Sequence, residues 1–96
     1  MAEEQTATVR VVLAGEFDLS SQSRLTELLQ PALEARYVTL DLSRTTYLDS
    51  AALSCFVAFS KELEARGGRM VLEHVPRTIR RILEITRLDH VFEIVD

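Results

Sequence analysis

Asp49 and Ser50 stand side by side directly before AALSCFVAF, one of the most apolar runs of the chain. An acid beside a hydroxyl at that place admits three chemistries. Serine is a preferred helix N-cap, its side-chain oxygen accepting a backbone N–H two or three residues on. An exposed serine at a helix N-terminus can also carry a phosphate, because free amides and the helix dipole tolerate the added charge of about −1.5 to −2, although a neighbouring Asp49 opposes it. Nucleophilic catalysis is the third, but Ser50 is not in a G-x-S-x-G elbow and no feature of the sequence sets a histidine beside it. His74 and His90 have no cysteine or histidine at metal-ligand spacing. Gly67-Gly68 and the single other glycine cannot build a phosphate loop. Asp41 and Asp49 flank residues 42–48, and paired acids do acid–base work; at a strand end and a helix start, however, acids more commonly cap or turn. No catalytic set, cofactor or metal site is expected, and the chain reads as neither an enzyme nor a nucleotide binder.

The elements that must position Ser50 belong to a chain of 96 residues, 47% of them hydrophobic, which suits one domain over 1–96. Fifteen acids against eleven bases give a formal charge of −4, so no basic footprint for nucleic acid is expected. The first residues, MAEEQTATVR, are acidic and polar where a signal peptide would be basic and then apolar. No apolar run approaches the ~20 residues that span a bilayer. The expectation is a soluble cytoplasmic protein without membrane insertion. The lone cysteine, Cys55, cannot form an internal disulfide, in agreement with a reducing compartment.

Residues 6–14 (TATVRVVLA) are rich in β-branched residues and read as a strand closed by Gly15. Asp18 and Ser20 or Ser21 offer caps to a helix whose Leu25, Leu28, Leu29, Ala32 and Leu33 follow helical spacing to about Ala35. Residues 37–42 (YVTLDL) predict a second strand, and 50–66 a helix stopped by Gly67-Gly68. That helix is apolar on all sides in its first half, which means burial or completion by a partner. A third strand at 69–73 (RMVLE) precedes a helix over 77–86, opened by Pro76, with Ile79, Ile82, Leu83 and Ile85 inward. Residues 91–95 (VFEIV) predict a last short strand. Strands alternating with helices argue for an α/β layer fold with at least partly parallel strands and helices covering the sheet.

Four segments in order, LAGEFDLSSQSRLTELL, VTLDLSRTTYLDSAAL, ARGGRMVLEHVP and IRRILEITRLDHVFEI, resemble the STAS domain family, specifically its small stand-alone anti-sigma-factor antagonists. The resemblance implies a central, mixed sheet of four to five strands covered by helices, and a switch in which a serine after an aspartate is phosphorylated by an anti-sigma factor that is itself a serine kinase. The unphosphorylated antagonist binds that kinase and frees the sigma factor, regulating sigma-factor-dependent transcription, and a phosphatase reverses the modification. Ser50 matches the phosphoacceptor. Asp18, Asp49, Ser50, Ala51, Ala52 and Leu53 match the partner-binding surface. The chain departs from the family pattern at Ala51 and Ala52, where a hydroxyl residue and then glycine are usual, at Arg87, where glycine is common, and in its short N-terminus. A second reading from the same family is a subunit of a membrane lipid-transport ATPase complex, with Ser50 unphosphorylated. A monomer is expected, or a weak homodimer through the apolar half of the 50–66 helix.

Overall fold

The computed structural model describes residues 8–95. Seven regular elements follow one another as β1 (Thr8–Phe17), α1 (Gln22–Leu29), β2 (Tyr37–Leu48), α2 (Ser50–Ala65), β3 (Arg69–Glu73), α3 (Arg77–Ile85) and β4 (Glu93–Val95). Short 3-10 turns at Leu19–Ser21, Gln30–Glu34 and Leu88–His90 complete the connections.

The sheet runs β1-β2-β3-β4, and all three pairings are parallel. The expected mixed sheet is therefore corrected among the described residues. Each step to the next strand passes through a helix or helical turn, and such a crossover returns the chain in the same direction. Because the steps also all move one way across the sheet, right-handed crossovers lay every helix on one face. Burial follows that rule. Leu13 of β1, Val38, Leu40 and Leu42 of β2, and Met70 and Leu72 of β3 are buried, as are Leu25, Phe56, Leu63, Ile79 and Leu83 of the helices. On the opposite sheet face Arg10, Val12 and Tyr37 remain exposed. Phe56 and Phe92 meet edge to face at 6.3 Å, joining α2 to the segment before β4.

Three expected boundaries move and one expected inward residue turns outward, each for a local reason. β1 runs through Gly15 to Phe17, and Thr6 and Ala7 lie outside the described residues. Gly15 takes φ +96° beside a register shift, so it permits a bulge where a stop was expected. β2 continues six residues beyond Leu42, through polar SRTT, because side chains satisfy the backbone groups that the bulges release. The Asp41 carboxylate accepts the Ser43 N–H at 2.9 Å, and the buried Thr45 hydroxyl donates to the Leu13 carbonyl at 2.7 Å. α1 ends at Leu29, short of Ala35, and tightens into a 3-10 turn at Pro31, whose ring lacks an N–H and crowds the preceding turn. Ile85, expected inward, is 73% exposed; at 100° per residue it lies about 160° around α3 from the buried Leu83. The expected stop of α2 is present as a pair of closing bonds, Gly67 N–H to Glu64 and Gly68 N–H to Leu63, with Gly67 at φ +84°.

Candidate functional site

β1 and β2 end in register, Phe17 beside Leu48, and both side chains are fully buried. The polar residues that follow them are therefore held at one edge of the sheet, outside the carboxyl ends of parallel strands, where α/β sheets commonly place ligands. The Asp49 N–H donates to the Phe17 carbonyl at 3.2 Å, tying the two strand ends together.

Asp49, not Ser50, caps α2. Its backbone is extended, and one carboxylate oxygen accepts the Ala52 N–H at 3.0 Å. The other oxygen accepts the Leu19 N–H at 3.1 Å. One side chain thus joins the α2 N-terminus to the turn after β1. The N-cap reading of Ser50 is corrected: the preceding acid reaches the cap position because β2 extends to Leu48, which sets Asp49 at the first non-helical residue. Ser50 occupies the first helical position, exposed, and its hydroxyl makes no hydrogen bond among the described residues.

Asp18 is equally engaged. Its carboxylate accepts the Ser20 hydroxyl at 2.6 Å, the Ser20 N–H at 2.9 Å and the Ser21 hydroxyl at 3.2 Å, while the Ser21 oxygen accepts the Asp18 N–H in return. These donors, the Ser20 hydroxyl foremost, hold the Asp18 carboxyl below its ordinary range. Asp18 and Asp49 shape the edge around Ser50, with Leu19 between their turns standing 69% exposed. Of the other matched residues, Ala51 is half-buried, whereas Ala52 and Leu53 are 2% and 3% exposed. Ala52 faces the core, and Leu53 reaches the surface only as part of a groove floor.

That groove, about 460 Å³, starts at Ser50 and follows α2 past Ser54 and Ala58 to Lys61, with Thr86 and Leu88 forming its other wall. Sequence reasoning missed both the groove and Leu19. An exposed leucine in a polar turn was their one visible sign, since the groove joins residues more than thirty positions apart. The apolar first half of α2 splits accordingly: Leu53 and Phe56 enter the core, Ser54 and Ala58 line the groove, and half-buried Cys55 borders a smaller cleft of about 160 Å³ against α1.

Asp41 belongs to a separate cluster. It lies eight residues before Asp49 along an extended strand, about 25 Å away, so the two acids form no pair. Arg10 bridges Asp41, at 2.9 Å, and Glu73 on the open sheet face. The Ser43 N–H and hydroxyl, then Arg10, hold the Asp41 carboxyl down from 3.8 to about 2. His74 and His90 neighbour Glu73 and Asp89 at 3.6 and 3.9 Å. No group of three metal-ligating side chains occurs among the described residues, and none of the described helices is long and apolar enough to cross a membrane.

Residues 1–96 match a family model described as Mlab, STAS domain. A protein of Listeria monocytogenes named anti-sigma-B factor antagonist is 31% identical over 94 residues, covering 96% of this chain and 82% of that protein. Among solved structures, an anti-sigma factor antagonist from Mycobacterium paratuberculosis superposes with a TM-score of 0.79 at 24% identity, over 90% of this chain and 75% of that one. The Bacillus cell fate determinant SpoIIAA, solved in its phosphorylated form, gives 0.70 at 21% identity, over 95% and 85%.

Proposed function

The chain belongs to the STAS domain family, and on that premise we propose that it is an anti-sigma-factor antagonist whose Ser50 surface binds a serine-kinase anti-sigma factor and is switched by phosphorylation of Ser50. One observation carries this reading: the Ser50 hydroxyl is exposed and unbonded at the first position of α2, because Asp49 already performs the capping. A serine that served as the cap would hold its oxygen against a backbone N–H, less open to a kinase than a hydroxyl without a partner. Here the fold keeps its cap while the surface changes charge.

In the switching step the Ser50 oxygen attacks the γ-phosphorus of ATP, the new O–P bond forms as the bond to ADP breaks, and the serine proton passes to a base of the kinase. The product adds about −1.5 to −2 charge beside Asp49 and Asp18. A partner that met a neutral hydroxyl and exposed Leu19 then meets concentrated negative charge, and like-charge juxtaposition in an interface costs several kcal/mol. A phosphatase resets the surface, and the protein acts in the cytoplasm as a monomer. The name of the 31% identical relative and the phosphorylated form of a protein of the same fold support this reading over that of a transport-complex subunit.

The test is calorimetric binding to purified anti-sigma factors of the source organism. Wild-type protein and Ser50→Ala are expected to bind one of them alike, and Ser50→Asp at least about tenfold more weakly. Full-affinity binding by Ser50→Asp removes the switch from Ser50, and no binding by wild type to any of them refutes the antagonist role.

A further inference from the structure

The groove that begins at Ser50 has a chemistry of its own. Its floor is apolar: Leu53 is 3% exposed, and Val57 and Leu88 are half-buried against the core. Its rim carries the Ser50, Ser54 and Thr86 hydroxyls. The Thr86 hydroxyl is already committed to the Ile82 carbonyl at 2.8 Å, which leaves the two serines free along α2. One cation lines the groove, and a second adjoins its wall in sequence. Lys61 ends the groove on α2, and Arg87 stands between the wall residues Thr86 and Leu88, exposed, in a left-handed backbone conformation at φ +65°. Neither has an acid partner among the described residues.

We propose that this groove seats an acidic segment of the anti-sigma factor, anchored by an apolar side chain on the Leu53, Val57 and Leu88 floor, with its carboxylates toward Lys61 and Arg87. The inference rests on the antagonist reading above and supplies the partner chemistry for it. Three features choose this occupant. The volume of about 460 Å³ lies in the range of clefts that bury drug-sized ligands, which is room for more than one side chain. The unpaired Lys61 at the end of an apolar floor complements an acid flanking an apolar anchor, the arrangement in which a buried core is ringed by polar contacts. An anionic membrane is a poor alternative for a chain of formal charge −4.

The same placement explains why a phosphate at Ser50 would act on binding. Ser50 and Lys61 are eleven residues apart on α2, about 16 Å along the helix. A segment lying between them lies within about one or two Debye lengths of a phosphate at Ser50. The dianion repels the occupant's carboxylates and offsets the attraction of the two cations, so the switch works on the contents of the groove without moving its walls.

Two exposed substitutions test this with the anti-sigma factor that wild type binds: Ser54→Trp, which fills the groove, and Lys61→Glu, which reverses its charge. Ser54→Trp is expected to weaken binding at least about tenfold. Lys61→Glu is expected to weaken it about fivefold at low salt, with the difference shrinking as NaCl rises from about 0.05 to 0.5 M. In the complex, the methyl resonances of Val57 and Leu88 are expected to shift; this readout holds even if a variant folds poorly. If wild type binds but both variants bind within about twofold of it, or if those methyls stay in place, the groove is not the seat and the antagonist reading survives. If wild type binds no anti-sigma factor, both fall together.

Discussion

Replacing Asp49 by alanine tests the separation of the cap from the proposed phosphoacceptor. The substitution removes the acceptor of the Ala52 N–H at 3.0 Å and of the Leu19 N–H at 3.1 Å. Loss of an N-cap costs about 0.5–2 kcal/mol, typically about 1. Loss of the charge at the positive end of the helix costs about 0.3–1 kcal/mol, and the exposed bond to Leu19 adds about 0.5 kcal/mol. The sum is about 2 kcal/mol, which lowers the melting temperature of a domain this size by about 10 °C. Asp49→Asn, retaining one acceptor oxygen, is expected to recover about half of it. Ser50→Ala removes no cap bond and gains slightly in helix propensity, so it is expected to be neutral or stabilising by up to about 0.5 kcal/mol. Urea denaturation followed by circular dichroism reads all three. A loss below about 0.5 kcal/mol for Asp49→Ala, or above about 1 kcal/mol for Ser50→Ala, refutes the assignment of the cap to Asp49.

Acid is expected to act on the protein through Asp41, whose carboxyl lies at about 2 when folded against 3.8 ordinarily. Between these values the unfolded chain binds more protons, so this contribution, about 2 kcal/mol, is complete above pH 3.8 and lost as pH falls through 2. Asp41→Asn is expected to flatten the stability profile over that window, and an unchanged slope sinks the assignment. Gly68→Ala sets a Cβ 2.8 Å from the Arg36 carbonyl and 2.9 Å from Leu63. It is expected to cost about 1–3 kcal/mol in urea titration, and a neutral variant contradicts the close approach. Phe56→Ala empties a fully buried position and breaks the contact with Phe92. Thermal unfolding is expected to show a loss of about 3–5 kcal/mol, and less than about 1 denies the joint core of α2 and the pre-β4 segment.

What the sequence made legible was its periodicity. The β-branched residues of 6–14, the short apolar run within 69–73, and the Gly67-Gly68 stop after an apolar helix located β1, β3 and α2 because each depends on local pattern and backbone freedom. The second half of β2 was illegible for the opposite reason. SRTT carries no strand alternation, and it is extended because Asp41 and Thr45 satisfy groups released by bulges against β1, a tertiary condition. The parallel direction of every pairing depended on strand order, which no single element carries.

The site divided along the same line. The pair Asp49-Ser50 stood out by residue type, but which of them caps depended on where β2 stops, six residues beyond Leu42. Asp18 was visible as a capping residue, and its carboxylate indeed gathers the hydroxyls of Ser20 and Ser21. Leu19 and the groove wall at Thr86 and Leu88 arise from contacts between distant segments, so periodicity had nothing to report about them.

The central claim is that Ser50 is presented as a phosphoacceptor while Asp49 holds the helix. Mass mapping of the protein after incubation with ATP and the serine-kinase anti-sigma factor that binds it tests this most directly. A single phosphate on Ser50, with circular dichroism unchanged, is the expected result. A bound kinase that leaves the protein unlabelled, or labels another residue while Ser50 stays bare, contradicts it.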